Sequence, residues 1–371
     1  MNVLIISDLY PRFEGDVRGV FVRDFAKSLS KFCNITVFHP VFTGKIAGIE
    51  KTEDAGFSVI SFTAANTPKT IVNKALIYRR LLKKSPEICH DIGHFDIVHA
   101  HGSVISGSIA RKMTVPYLIT EHTGPFSAIS SRPLLLSRAK SNIRKAAVLL
   151  PVSRHLENEM LQSGIRPAKT IVAGNPIDDA LFSMAPTPEK RPHNILFAAR
   201  LDNLKGGMRT LRAFGHLAGK RAGWTLSIIG DGDEKEEMQH FIALNGIEDR
   251  VRLRGFVSRK ELKGEMHHSA FFVLPSAHES FGLVIAEAMA CGLPVIGPCS
   301  SAPPEIVDDA CGLLIDPSDV DAIEEAMDGM MDNYQNYQGN QIRQAICKRF
   351  GMQVFGKRIY EIYKEVLKCA E

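Results

Sequence analysis

Two cations and two carboxylates in the second half of the 371-residue chain are spaced to handle a phosphorylated ligand. Arg200 and Lys205 lie five apart in Arg200-Leu201-Asp202-Asn203-Leu204-Lys205-Gly206-Gly207, after an apolar run and before a helical pattern. In a strand-to-helix loop, two permanent cations stand beside the unpaired amides of a helix N-terminus, which suits a diphosphate. Taken alone, the pair reads rather as two solvated bases on a surface loop. Glu279 and Glu287 belong to a second loop and helix, in which Gly282 marks the helix start. Glu287 shares an apolar face with Val284, Ala288 and Cys291, where a carboxylate is costly unless it accepts hydrogen bonds. A vicinal diol, as in ribose, supplies two donors to one carboxylate. The amides of Gly282, Leu283 and Val284 face outward at the helix start and can bind an anion.

The elements that must position these groups alternate along the whole chain. Val3–Ile6, Ile35–Phe38, Phe57–Phe62, Ile97–His99, Tyr117–Thr120, Val148–Val152 and Thr170–Val172 read as strands of the first half. Ile195–Ala199, Thr225–Ile229, Val251–Leu253, Phe271–Leu274, Pro294–Ile296 and Leu313–Ile315 repeat the scheme in the second half. Helical patterns such as Val20–Lys31 and Ala75–Lys84 separate several of them. Strands alternating with helices imply α/β architecture: two doubly wound parallel sheets with helices on both faces. The junction falls near Asp179–His193, where Pro186, Pro188 and Pro192 punctuate a polar stretch. After Ile315 only helices follow, at Asp319–Met331, Gln338–Arg349 and Val354–Leu367. Ligands of such sheets bind at the carboxyl ends of the strands, which predicts a crevice between the two.

With these motifs in place, a resemblance is evident. Glu279-Ser280-Phe281-Gly282-Leu283-Val284-Ile285-Ala286-Glu287 is similar to the E-x7-E signature of retaining glycosyltransferases of the GT-B fold, family four. Arg200 to Gly206 resembles that family's R-x-x-x-x-K-G, Gly230-Asp231-Gly232 its G-D-G turn, and Gly255-Phe256-Val257 its G-x-V loop. Thr120-Glu121-His122-Thr123-Gly124 resembles its His-bearing loop, and Gly174-Asn175-Pro176-Ile177-Asp178 the run that closes the N-terminal domain. Tyr10-Pro11 followed by Gly19-Val20-Phe21 resembles the glycine loop after the first strand. Two departures stand out: Gly15-Asp16-Val17-Arg18-Gly19 replaces consecutive glycines, and Ser300-Ser301-Ala302-Pro303-Pro304-Glu305 replaces a glycine pair.

The resemblance implies a retaining, metal-independent hexosyltransferase using a nucleotide diphosphate sugar, UDP-linked in preference to GDP-linked. It implies Arg200 and Lys205 on the diphosphate, Glu279 on the sugar hydroxyls and Glu287 on the ribose. His122 would reach the sugar, and Gly19, Gly230, Val257, Gly282, Leu283 and Val284 would complete the donor site. The expected domains are 1–180, on the acceptor side with a returning helix at 353–371, and 181–352, which binds the nucleotide sugar. The returning helix follows from the resemblance and from Ile359, Ile362, Tyr363 and Val366, whose helical spacing demands a surface.

Composition bounds the partners. Residues 1–180 carry 23 Lys+Arg against 15 Asp+Glu, whereas the rest carry 22 against 26. A basic first half suggests an anionic partner there, with a membrane surface as the expectation beside a glycan or lipid-linked sugar acceptor. No aromatic-rich motif supports nucleic acid. The sequence shows neither a signal peptide nor a membrane-spanning run, which points to a cytoplasmic protein, peripheral on the inner face of the plasma membrane. Seven cysteines without a C-x-x-C argue against a disulfide framework or structural zinc. Asp231-Gly232-Asp233 mimics a D-x-D metal motif but reads as a helix cap, with Glu236 completing a capping box. His99-Ala100-His101 could share a strand face toward a metal, yet lacks a third ligand and reads as core. His267-His268 has no recognisable role. Competing readings are an epimerase or hydrolase acting on sugar nucleotides, and a non-catalytic nucleotide-sugar-binding subunit.

Overall fold

The structure is a computed structural model that describes residues 1–13, 15–44, 47–66, 71–185 and 193–369. Prolines 186, 188 and 192 of the expected junction lie outside the described residues. The chain divides into two compact units, one formed by Met1–Pro176 with Met352–Glu371 and the other by Ile177–Gly351.

The first unit holds β1 (Asn2–Ser7), β2 (Asn34–Gly44), β3 (Gly48–Asp54), β4 (Phe57–Asn66), β5 (Ile97–His101), β6 (Tyr117–Glu121) and β7 (Val148–Pro151). Their order is β3-β4-β2-β1-β5-β6-β7. Val3 pairs with Ile35 on one side and Ile97 on the other, both in parallel register. Val3 through Ile6 are fully buried, as a central parallel strand covered on both faces must be. β3 is the antiparallel exception, pairing with β4 at the sheet edge. It went unread because Glu50, Lys51 and Glu53 give it no apolar alternation; charges of this kind protect an exposed edge. The expected strand Thr170–Val172 reduces to one isolated bridge between Thr170 and Leu149.

The second unit holds β8 (Asn194–Ala198), β9 (Thr225–Ile229), β10 (Val251–Leu253), β11 (Phe271–Val273), β12 (Val295–Pro298) and β13 (Gly312–Ile315). They form an all-parallel sheet in the order β10-β9-β8-β11-β12-β13. The order reverses beside β8, so β8 and β11 diverge there, and the loops after these two strands carry Arg200/Lys205 and Glu279.

The last helix, Met352–Lys368, belongs to the first unit. It buries Phe355, Ile359, Ile362, Tyr363 and Val366. Phe355 meets Phe25 edge-on, and Gly356 lies so close to Ser28 that a Cβ would stand 1.9 Å from its carbonyl oxygen. The helix Ile71–Asp91 buries Ile77, Leu81 and Cys89 and exposes Leu76, Arg79, Arg80, Lys83 and Lys84. Among the described residues, no helix is long and apolar enough to cross a membrane.

Candidate functional site

In the second unit the two charged loops converge. Lys205 Nζ donates to Glu279 Oε1 at 2.6 Å, and the Ser276 hydroxyl donates to the same oxygen at 2.7 Å. Two close backbone approaches hold this pair. Gly206, with φ 76°, caps the helix Gly207–Ala218, and a Cβ there would stand 2.4 Å from the Pro275 carbonyl oxygen. The Ala277 amide donates to the Leu204 carbonyl at 2.7 Å, tying the loops together. Arg200 is more exposed and pairs through Nε with Asp202, whose carboxylate also accepts the Lys205 amide at 3.1 Å. Asp202 therefore shapes the loop, a role the charge pattern alone did not assign.

Gly282 adopts φ 86° as the N-cap of Leu283–Ala290, with no side chain capping the helix. The first amides of that helix, on Leu283 and Val284, remain available to an anion. Glu287 is buried on the same helix, and Arg259 Nη2 donates to its Oε1 at 2.7 Å. The sequence reading supplied only a diol as donor to this carboxylate; the guanidinium already offsets part of its burial. Arg259 itself stacks over the Phe182 ring.

Gly230 is required by packing: a Cβ would fall 1.8 Å from the Ala199 carbonyl oxygen. Its neighbour Asp231 accepts the Gly232 amide at 2.9 Å and pairs with Lys235 at 3.2 Å. The expected capping box at Asp233 and Glu236 is absent, because the helix Lys235–Asn245 begins after Glu234 and has no side-chain cap. A true capping box sits at Ser258 and Glu261, directly after Val257, which is half-buried beside the exposed Phe256.

Ser301 belongs to the run that replaces the family's glycine pair, where the sequence assigns no site residue. It takes φ 61°, a left-handed conformation that explains why the family pattern places glycine in this loop. Its hydroxyl accepts the Glu279 amide at 3.1 Å, while the Ala302 amide donates to the Glu279 carbonyl at 3.2 Å. The loop thus grips the Glu279 backbone from both sides.

In the first unit, Gly19 caps the helix Val20–Leu29 with φ 72°, and a Cβ would stand 2.4 Å from the Leu9 backbone. The buried Asp16 accepts the amides of Arg12 and Arg18 and the Arg18 guanidinium, which holds its carboxyl down at about 2 and fixes the loop. His122 follows β6, its ring 4.3 Å from that of Phe21 in the same helix. Its Nε2 lies 2.8 Å from His101 Nδ1. His99 bridges Tyr363 (2.6 Å) and Thr120 (2.7 Å) through its two ring nitrogens. Burial pushes His99 and His122 down to about 3 and His101 well below the usual histidine range, so all three are neutral imidazoles near pH 7. The paired histidines of β5 are core residues, as the sequence suggested. His267 bonds the Ser183 carbonyl at 2.6 Å, a structural role.

Residues 19–181 match the family model described as Glycosyltransferase Family 4, and residues 182–346 match Glycosyl transferases group 1. A D-inositol 3-phosphate glycosyltransferase of Mycobacterium marinum is 30% identical over 68% of this chain and 59% of its own. A 2-deoxystreptamine N-acetyl-D-glucosaminyltransferase of Niallia circulans is 25% identical over 62% of this chain and 66% of its own. The matches thus span under two thirds of the length of either relative. Among solved structures, a sucrose-phosphate synthase from Thermosynechococcus elongatus superposes with TM-score 0.83 at 17% identity, covering 99% of both chains. Anabaena HepE in complex with UDP gives TM-score 0.74 at 19% identity, covering 98% of this chain and 100% of that one.

Proposed function

The chain belongs to glycosyltransferase family 4, and from that premise we propose that it moves a sugar from a nucleotide diphosphate sugar to a glycan or lipid-linked acceptor, with retention, in surface polysaccharide synthesis. The observation that carries this reading is the convergence of Lys205 and Glu279 from separate loops, at 2.6 Å, in the second unit. Catalysis then rests on charge. As the bond from the anomeric carbon to the diphosphate breaks, negative charge grows on the leaving phosphate. Lys205 and Arg200, with the amides at Gly282, Leu283 and Val284, stabilise it without a metal ion. The acceptor oxygen bonds to the same face of the anomeric carbon, and its proton passes to the departing phosphate oxygen.

Glu279 fixes sugar hydroxyls, Glu287 accepts from the ribose diol beside Arg259, and His122 contacts the sugar. On the same proposal Gly19 and Val257 contribute further donor contacts. Gly230 acts through the packing of its loop on Ala199. UDP is the favoured carrier, in keeping with the UDP-bound HepE structure. The exposed Leu134, between Arg132 and Arg138, and the exposed bases of Ile71–Asp91 suit an anionic membrane surface that would deliver a lipid-linked acceptor.

Thermal denaturation with UDP, GDP and their sugars, in EDTA, tests the reading. A ligand at 100 times its Kd should stabilise the fold by about 2.7 kcal/mol. Transfer that vanishes on chelation and returns with Mn²⁺ would overturn the metal-free mechanism.

A further inference from the structure

We propose that His101 is a positioning residue that locks His122 into a single neutral tautomer and presents its Nδ1 to a sugar oxygen. The inference rests on the role given to His122 above, but its geometry lies wholly within the first unit. His101 is the last residue of β5 and pairs in register with Thr120 of β6, two residues before His122. Its Nδ1 lies 2.8 Å from His122 Nε2, and the two rings are 13° from coplanar, as an in-plane N–H···N bond requires. Phe21 closes on the opposite side of the His122 ring. The backbone is fixed as tightly as the ring. Glu121, fully buried, accepts the amides of His122 and Thr123 on Oε1 at 3.0 Å each, and that of Ser103 on Oε2 at 2.9 Å.

A neutral imidazole carries one N–H and one lone pair. The single proton in the bond between the rings therefore decides what His122 Nδ1 offers. If His101 donates, its own buried Nε2 is bare and the His122 proton sits on Nδ1, where a sugar oxygen accepts it. The reverse would strand an N–H on His101 Nε2 even with a ligand bound, so the first arrangement is the one held. Nδ1 is buried and has no partner among the described residues, so it is the ring nitrogen left for a ligand. Packing alone does not account for His101. Its Nε2 is also buried without a partner among the described residues, a cost that leucine at this position would not incur.

Selective ¹⁵N-histidine NMR of the full chain tests the coupling, with His122 assigned by the signals lost in His122→Gln. In the wild type, His122 should show one protonated and one bare nitrogen. His101→Leu should average them, while His101→Asn, whose amide can donate or accept at similar reach, should keep one tautomer. In transfer assays His101→Leu should lower kcat by about 10- to 100-fold with the donor KM near wild type. His101→Asn should recover most of the loss, which a packing role would not predict. If His101→Leu does not fold, the wild-type spectrum and His101→Asn carry the test. Averaged His122 nitrogens in the wild type overturn the inference, as does a folded His101→Leu enzyme with wild-type kcat while His122→Gln is inactive. Wild-type transfer by His122→Gln itself would instead sink the role given to His122.

Discussion

Lys205 must serve two masters, the carboxylate it already pairs with and the diphosphate it is proposed to meet. An ammonium has three donors, so the 2.6 Å contact with Glu279 orients the group and leaves hydrogens for a phosphate oxygen. Lys205→Ala should then slow transfer by about 3 kcal/mol, or roughly 100-fold in kcat. Among the described residues, the same change leaves the Glu279 carboxylate with the Ser276 hydroxyl as its hydrogen-bond partner. Glu279→Gln, which keeps the hydrogen-bond acceptor, should therefore preserve UDP affinity better than Lys205→Ala in calorimetry. Equal UDP affinity in wild type and Lys205→Ala would remove Lys205 from the phosphate site. Glu287 presents the opposite balance, because its partner Arg259 is largely covered. Glu287→Ala removes a charge-assisted contact and should raise the nucleotide Kd about tenfold. An Arg259→Ala variant with the same increase would show that the guanidinium orients the carboxylate.

At the scale of the element, glycines set the spacing of loops and histidines set the pH range of the fold. Gly206→Ala would drive a Cβ against the Pro275 carbonyl from a left-handed conformation. It should cost about 1–3 kcal/mol in urea unfolding and separate Lys205 from Glu279. On β5 and β6, burial holds His99 and His122 down at about 3, whereas an unfolded histidine titrates near 6.5. Their folded pKa is depressed, so the unfolded chain binds the extra protons first. Stability is full above about pH 6.5 and is lost as the pH falls toward 3. The urea midpoint should decline between pH 7 and 5; a flat midpoint over that interval would contradict the buried, neutral state. Much of this was legible beforehand. The central strands announce themselves through unbroken runs such as Val3–Ile6 and Phe271–Val273, and the charged loops follow them at once. What escaped was set by geometry between distant residues: β3 has no apolar alternation, Glu287 finds Arg259 twenty-eight residues away, and Ser301 reveals itself only by its φ. The His101–His122 bond escaped too, since residues 21 apart in sequence meet only across a strand pair.

For the whole molecule, the two units differ in how the chain supplies them. The second is one continuous stretch, Ile177–Gly351, whereas the first needs both Met1–Pro176 and the final helix. That helix buries five large side chains, Phe355, Ile359, Ile362, Tyr363 and Val366. At about 1.5–3 kcal/mol for each buried side chain, their removal rivals the 5–15 kcal/mol that holds a typical domain together. It also supplies specific polar partners: Tyr363 bonds buried His99, and Arg358 bonds the Ala173 carbonyl. Tyr363→Phe, leaving His99 one partner short, should cost about 1–3 kcal/mol. Truncation after Gly351 should do far more. The apolar faces of Phe25 and its neighbours on the helix Val20–Leu29 would lie open, and residues 1–176 should become accessible to protease. Residues 177–351, which form a compact unit without that helix, should stay resistant. Limited proteolysis read by mass spectrometry separates the two outcomes. Wild-type protection of residues 1–176 in the truncated chain would mean that the first unit is held by its own sheet and that the returning helix is dispensable to it.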